Sequence, residues 1–201
     1  RKFLKKNNFN YPEFKIFKSK EKINNFINKI GYPFFIKPID SSGSKGVTKV
    51  IKKNLIKKAI SEALSYSKKK KFIVEKTIDR KSYQVAGDGF VMNKKLVFRC
   101  WGDEHFNEKL NGLITIGPSL PSVHAERKFK VAHKETQRII NLLGINNGAL
   151  NFDLIFDKND NLFFLEIAPR NGGGLLPELI QKSTNVDLIK YTVDTALGMK
   201  L

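Results

Sequence analysis

The stretch from Gly148 to Gly174, GALNFDLIFDKNDNLFFLEIAPRNGGG, limits what this chain can fold into more than any other. Residues 149–157 and 162–168 are rich in Phe, Leu and Ile, and Lys158-Asn159-Asp160-Asn161 between them is made of turn formers, so the pattern predicts a β-hairpin. With those four residues as the loop, Asp157 lies opposite Leu162, and Phe156, Leu154 and Phe152 face Phe163, Leu165 and Ile167 on a wholly apolar side. The other side then carries Ile155 with Phe164, Asp153 with Glu166, and Asn151 with Ala168. Opposed carboxylates with Cβ atoms about 5 Å apart repel each other and call for a positive charge between them. Magnesium commonly takes one or two carboxylates plus substrate phosphates, so the pair suits nucleotide-bound Mg²⁺ better than zinc or iron. The other reading is a solvated face with both acids in water. The apolar neighbours Ile155 and Phe164 and the cation Arg170 in the following Pro-Arg-Asn-Gly-Gly-Gly run favour the metal. The register decides the matter, because a five-residue loop alone would set Glu166 opposite Phe152.

A chain of 201 residues, 41% of them hydrophobic, can hold one large domain or two small ones with ample core. The single cysteine, Cys100, rules out an intrachain disulfide, and no apolar run approaches the roughly 18–20 residues that span a bilayer. A cytoplasmic protein with no membrane partner is the expectation. The start at Arg1, without Met or a charged-then-apolar leader, suggests a piece of a longer protein. The formal net charge of +18 invites a nucleic-acid reading, but the lysines are scattered along helices and no RNP, zinc-finger or helix-turn-helix signature accompanies them. Such a surface favours anionic ligands in general.

In chain order, residues 3–9 finish a helix and Glu13–Phe17 form a short strand. Ser19 caps a helix carrying Ile23, Phe26, Ile27 and Ile30 at helical spacing, which Gly31 stops. Phe34–Pro38 reads as a buried strand with Lys37 near its end. Asp40-Ser41-Ser42-Gly43-Ser44-Lys45-Gly46 is a small polar loop, and Val47–Ile51 is a second strand. A Ser/Gly loop lets backbone N–H groups close around phosphate oxygens, although it is not a Walker A loop, and such turns usually serve only as turns. Asn54 opens a helix with Leu55, Ala59, Ile60, Ala63 and Leu64 on its apolar face, and the strand Lys71–Lys76 follows. Tyr83–Val91 and Leu96–Trp101 read as two antiparallel strands joined through Asn93-Lys94. The stretch 102–127 reads as a long irregular segment and a candidate substrate-facing lid, with Arg127 and Lys128 as anion contacts. A helix spans Glu126–Leu143 and stops at Gly144, and 175–181 and 186–197 are two closing helices. His105, His124 and His133 share no metal-ligand spacing and are expected on the surface or in loops, and Cys100 sits on a strand without a nucleophile motif.

A strand-ending lysine, a Ser/Gly loop, an acidic strand end and a paired-carboxylate hairpin, in that order, resemble the ATP-grasp superfamily over nearly the whole chain. The resemblance implies an α+β ATP-grasp fold in which two α+β subdomains grip a nucleotide between antiparallel sheets. Residues 1–72 would be the smaller subdomain, with the phosphate loop, and 73–201 the larger, with the metal-binding hairpin. An α/β domain and an earlier nucleotide-contacting lysine would lie upstream of Arg1. By the same resemblance, Lys37 and Ser41, Ser42, Gly43, Ser44 and Gly46 hold the phosphates of ATP. Glu75, through its carboxylate or carbonyl, and the backbone of Lys76 and Ile78 receive adenine. Asp153 and Glu166 bind Mg²⁺, and Arg170 meets the reacting phosphoryl or acyl group. Two positions depart from the family pattern. Ala168 stands where many members carry a metal-ligating Asn, which leaves that ligand lost or supplied by Asn151 or Asn171. Ser82 stands where an acid often holds the ribose, with Asp79 or Asp88 as substitutes.

The activity implied is an ATP-dependent ligase that joins a small-molecule carboxylate to an amine or similar nucleophile through an acyl phosphate. Such chemistry needs positioning and charge neutralisation more than covalent help from the protein. Lys37 and Arg170 are the expected catalytic groups, although Arg170 pairing with Glu166 would be compatible with that role. The alternative is a non-catalytic ATP-binding or regulatory ATP-grasp domain, which Ala168 and Ser82 make plausible. A homodimer is compatible with either, and a charge-driven RNA-binding protein is the third reading.

Overall fold

In the computed structural model, which describes residues 1–18, 23–107 and 112–199, backbone contacts divide the chain into two units, Arg1–Asp79 and Arg80–Leu201. The first unit is built on a four-stranded antiparallel sheet. Its strands β1 (Phe14–Lys18), β2 (Phe34–Pro38), β3 (Thr48–Val50) and β4 (Lys71–Lys76) lie in the order β1-β4-β2-β3. Alternation within β2 and β4 sends Phe34, Ile36, Phe72 and Val74 into a core with Phe17 and Val50. Helices α2 (Asn24–Ile30) and α3 (Ile56–Tyr66) close that core with Ile27, Ile30, Ala59 and Ala63. Helix α1 (Lys2–Lys6) precedes the sheet. Gly31 ends α2 at φ +70°, as its sequence position suggests. The expected cap at Ser19 lies outside the described residues. The helix expected from Asn54 starts instead as a single 3-10 turn, Lys53–Leu55, and becomes α-helical at Ile56.

The second unit is a five-stranded antiparallel sheet in the order β7-β6-β5-β8-β9. Its strands are β5 (Gln84–Met92), β6 (Lys95–Phe106), β7 (Thr115–Ser119), β8 (Gly148–Phe156) and β9 (Leu162–Ala168). Asn93 and Lys94 turn β5 into β6 at φ +50° and +65°, the positive-φ pair of a tight hairpin. One side of this sheet packs on α4 (Glu126–Leu143), with Trp101 edge-on to both Phe129 and Phe152 at ring separations of 5.6 Å. On the opposite side, α5 (Leu176–Thr184) and α6 (Leu188–Ala196) cover the end that carries Phe90 and Ala149, burying Leu176, Ile180 and Leu188 there.

The stretch 102–127, expected to be irregular, is partly sheet: β6 runs on to Phe106, and Thr115–Ser119 pairs back on it as β7. Gly and Pro residues masked the strand because they break alternation, yet Gly102 is required within it, since a Cβ there would meet Ser119 O at 2.4 Å. Arg127 and Lys128 are not held ready for an anion either, because both pair with the Asp160 carboxylate, at 2.8 and 2.6 Å.

Candidate functional site

In the first unit, β2 and β4 are neighbours with Phe35 opposite Glu75, which brings the side chain of Lys37 to that of Glu75. Lys37 Nζ donates to Glu75 Oε1 at 2.7 Å, and Arg1 donates to both carboxylate oxygens, at 2.6 and 3.0 Å. Glu75 is only 4% exposed. Burial alone would raise its carboxyl, but the Arg1 hydrogen bonds and the charges of Lys37 and Arg1 outweigh it and hold Glu75 below the usual carboxylate range. Both oxygens are therefore occupied, and the Glu75 backbone lies inside the sheet, paired with Phe14 on one side and Phe35 on the other. The N–H of Lys76 donates to Glu13 O at 2.8 Å, which leaves its carbonyl. Ile78 follows β4, half-buried, next to Thr77, whose buried hydroxyl has no partner among the described residues. Arg1 was not singled out from sequence; its role depends on a contact 74 positions away.

The loop between β2 and β3 holds Ser41, Ser42, Gly43 and Ser44 exposed and Gly46 buried. Gly43, Ser44 and Gly46 take φ of +61°, +56° and +73°, and a Cβ on Gly46 would strike the Tyr66 side chain at 2.8 Å. Lys45 N and Val47 N donate back to Ser42 O and Ser44 O, at 3.3 and 3.1 Å, and curl the loop. No protein acceptor among the described residues takes the amides of Ser42, Gly43 and Ser44. A run of backbone donors left to solvent in such a turn is an anion-binding arrangement.

In the second unit the hairpin places Asp153 opposite Glu166, with Phe152 opposite Ile167 and Asn151 opposite Ala168, as the four-residue loop requires. It does so by a different route. The loop is Asp157–Asn161, and Phe156, Ile155 and Leu154 pair with Leu162, Phe163 and Phe164 rather than with the residues expected. A bulge then takes up one extra residue on β9, Leu165, and returns the ladder to the expected register at Asp153. Leu162 and Phe164 consequently replace Phe163 and Leu165 in the core. The longer loop follows from Asp157, whose carboxylate accepts the N–H groups of Asn159 and Asn161 at 2.8 Å each and the Asn161 amide at 3.0 Å.

Burial, followed by the like charge of Glu166, pushes the Asp153 carboxyl up to about 6. A pair whose own repulsion opposes ionisation is stabilised by a cation, and hard carboxylate oxygens fit magnesium. Among the described residues no third His, Cys, Asp or Glu joins the pair in a metal-holding group. Glu104, on the same face of the sheet, accepts the hydroxyl of Thr115, and burial together with Asp153 pushes it up to about 7. Arg170 stands loosely at 3.9 Å from Glu166 and donates to Asn171 O at 2.7 Å, with its side chain 55% exposed.

Asp88 is 0% exposed, and its carboxylate accepts the Gly172 N–H at 2.8 and 3.0 Å and the Asn151 amide at 2.9 Å. It fastens the Pro169–Gly174 segment to β5, which is the work of a strut rather than of a ribose contact. Burial keeps its carboxyl above the ordinary range despite those donors. The sequence does hint at this, since an aspartate in the otherwise apolar run Val85–Val91 has to find donors inside. His124 lies in a loop, one of the two places expected for it, but is buried there with its ring nitrogen on Tyr83 O at 2.9 Å. His105 meets Ser119 at 2.8 Å. No helix among the described residues is long and apolar enough to cross a membrane.

The whole chain, residues 1–201, matches the family model described as carbamoyl-phosphate synthase L chain, ATP binding domain. A D-alanine–D-alanine ligase B of Clostridium tetani is 29% identical over 176 residues, 83% of this chain and 47% of that protein. The biotin carboxylase–β,γ-ATP complex from Campylobacter jejuni superposes with a TM-score of 0.80 at 17% identity, covering 100% of this chain and 45% of that one. The biotin carboxylase domain dimer of Hydrogenobacter thermophilus 2-oxoglutarate carboxylase, crystallised with MgADP, ADP and bicarbonate, gives 0.78 at 19% identity, covering 100% and 44%. The chain thus spans about half the length of these proteins.

Proposed function

The chain belongs to the carbamoyl-phosphate synthase L-chain ATP-binding-domain family, and with it to the ATP-grasp superfamily, and from that membership we propose that it is the nucleotide-binding part of an ATP-dependent, magnesium-dependent ligase. The reaction is the joining of a small carboxylate to an amine or similar nucleophile through an acyl phosphate. The observation that carries the reading is the Asp153–Glu166 pair, restored to opposition by a bulge and left in need of a cation.

In this reading the first unit holds the anionic and base portions of ATP. Lys37 and the open amides of Ser42, Gly43 and Ser44 neutralise and orient phosphate oxygens, and the backbone of Lys76 and Ile78, where β4 ends beyond Glu75, receives the adenine edge. The second unit holds the magnesium through Asp153 and Glu166. When bound, magnesium neutralises phosphate charge and aligns the reacting oxygens. Arg170, exposed and only loosely paired, is available to the charge that develops as the phosphoryl group moves to the carboxylate. Gly172, pinned by Asp88, fixes the backbone from which Arg170 extends.

The test is positional isotope exchange in ATP labelled at the β,γ-bridging oxygen, using the full-length protein and a panel of small carboxylates without amine. Reversible acyl-phosphate formation scrambles the label, so carboxylate-dependent scrambling is the expected result, abolished by Glu166→Gln. ATP binding without scrambling for any carboxylate, and without ADP formation on adding amines, would assign the chain to non-catalytic nucleotide-binding domains instead.

A further inference from the structure

Two carboxylates leave most of an octahedral magnesium shell to other oxygens, and no further acidic or imidazole group among the described residues completes it. We propose that the side-chain carbonyl of Asn151 is the third protein oxygen for the cation held by Asp153 and Glu166, a role that rests on the magnesium reading above. Asn151 lies two residues from Asp153 on β8, hence on the same face and about 7 Å along the strand. Its cross-strand neighbour, Ala168, has only a methyl group and offers no side-chain oxygen of its own.

The amide of Asn151 is already turned for the task. Its Nδ2 donates to Asp88 Oδ1 at 2.9 Å and to Gly87 O at 3.2 Å. Both partners are acceptors, so the amide cannot be flipped without setting oxygen against oxygen. Oδ1 is thereby directed away from β5, and no donor among the described residues takes it. Asp88 is itself immobilised by the Gly172 N–H, so this orientation is built in before any cation arrives.

The other polar side chains near the pair are engaged elsewhere or, among the described residues, placed outside a metal-holding group with it. Asn171 turns its amide to α6, donating to Thr192 Oγ1 at 3.1 Å and Leu188 O at 3.5 Å while its Oδ1 accepts from Thr192 at 3.4 Å. The Gln84 side chain donates to Asp153, and Glu104, which accepts Thr115 on one oxygen, does not join the pair in a metal-holding group among the described residues. A neutral carbonyl beside two carboxylates gives a hard, doubly negative oxygen set, matched in charge to one divalent cation.

The experiment loads the full-length protein with Mn²⁺ and a non-hydrolysable ATP analogue and reads bound Mn²⁺ by electron paramagnetic resonance. Asp153→Asn and Glu166→Gln must lose Mn²⁺ binding; if they retain it, the magnesium reading itself fails. With that reading intact, Asn151→Ala is expected to weaken Mn²⁺ by about 10- to 100-fold. Because the same change also loosens Asp88, a second readout separates ligation from support. In protein carrying 13C at the asparagine side-chain carbonyl, electron–nuclear double resonance is expected to show a ligand-carbon coupling to Mn²⁺ that is lost in Asn151→Ala and kept in Asn171→Ala. No such coupling in the unsubstituted protein, or one that survives in Asn151→Ala, overturns the assignment.

Discussion

Glu104 and Glu75 are both buried glutamates at strand positions, and their neighbours drive them in opposite directions. Glu75 has two cations and stays ionised. Glu104 has a hydroxyl and the nearby Asp153, and its carboxyl is pushed from 4.5 to about 7. Between those two values the folded protein keeps a proton that the unfolded chain has released. Stability therefore falls as pH rises from about 4.5 to about 7 and levels off above that window. Glutamine mimics the protonated side chain and can still accept the Thr115 hydroxyl. In metal-free buffer, Glu104→Gln is expected to be more stable than the unsubstituted protein near pH 8 by on the order of 2 kcal/mol, with the two equal near pH 4. Urea unfolding at both pH values checks this, and an unchanged midpoint at pH 8 would remove the idea that Glu104 is strained when ionised.

At the scale of elements, the Gly172-Gly173-Gly174 run looks uniform in sequence but divides sharply in the fold. A Cβ on Gly172 would meet Leu176 Cδ2 at 2.5 Å and Asp88 Oδ1 at 2.9 Å, whereas one on Gly173 would meet nothing within 4 Å. Gly172→Ala has to push the segment off the Asp88 strut. It is expected to cost about 2 kcal/mol or more and to displace Arg170, while Gly173→Ala stays within about 0.5 kcal/mol. Thermal unfolding of the two variants side by side decides it, and equal midpoints would refute the strut. The hairpin shows what was legible and what was not. The two paired strands, signalled by Phe and Leu on both sides of Lys158-Asn159-Asp160-Asn161, and the opposition of Asp153 and Glu166 were legible there. The loop length was not, because an Asx turn at Asp157 lengthens the loop by one residue and Leu165 then absorbs that residue further down. The two departures cancel from Asp153–Glu166 onward, through Phe152–Ile167 and Asn151–Ala168. Strand β7 stayed hidden behind its own Gly and Pro, and the contact of Arg1 with Glu75 connects residues too distant in sequence for any local pattern to report.

For the molecule as a whole, the proposed contacts with ATP and with magnesium can be tested one at a time. Phosphate groups are assigned to Lys37 and the 41–46 loop, and magnesium to Asp153 and Glu166. That division is separable by ligand-induced stabilisation. A non-hydrolysable ATP analogue at about 100 times its Kd should stabilise the folded protein by about 2.7 kcal/mol. The excess that magnesium adds should vanish in Glu166→Gln, while the shift produced by the analogue alone remains. In Lys37→Met the shift should shrink with and without magnesium, since a phosphate contact is lost in either case. The net charge of +18 supplies a background attraction for any polyanion. The same scans at low and at physiological salt separate it, because a diffuse attraction fades with ionic strength while contacts at a formed site persist. A shift that ignores both substitutions and disappears with salt would mean that charge alone binds the nucleotide, and a magnesium-dependent excess surviving in Glu166→Gln would take the metal away from the hairpin.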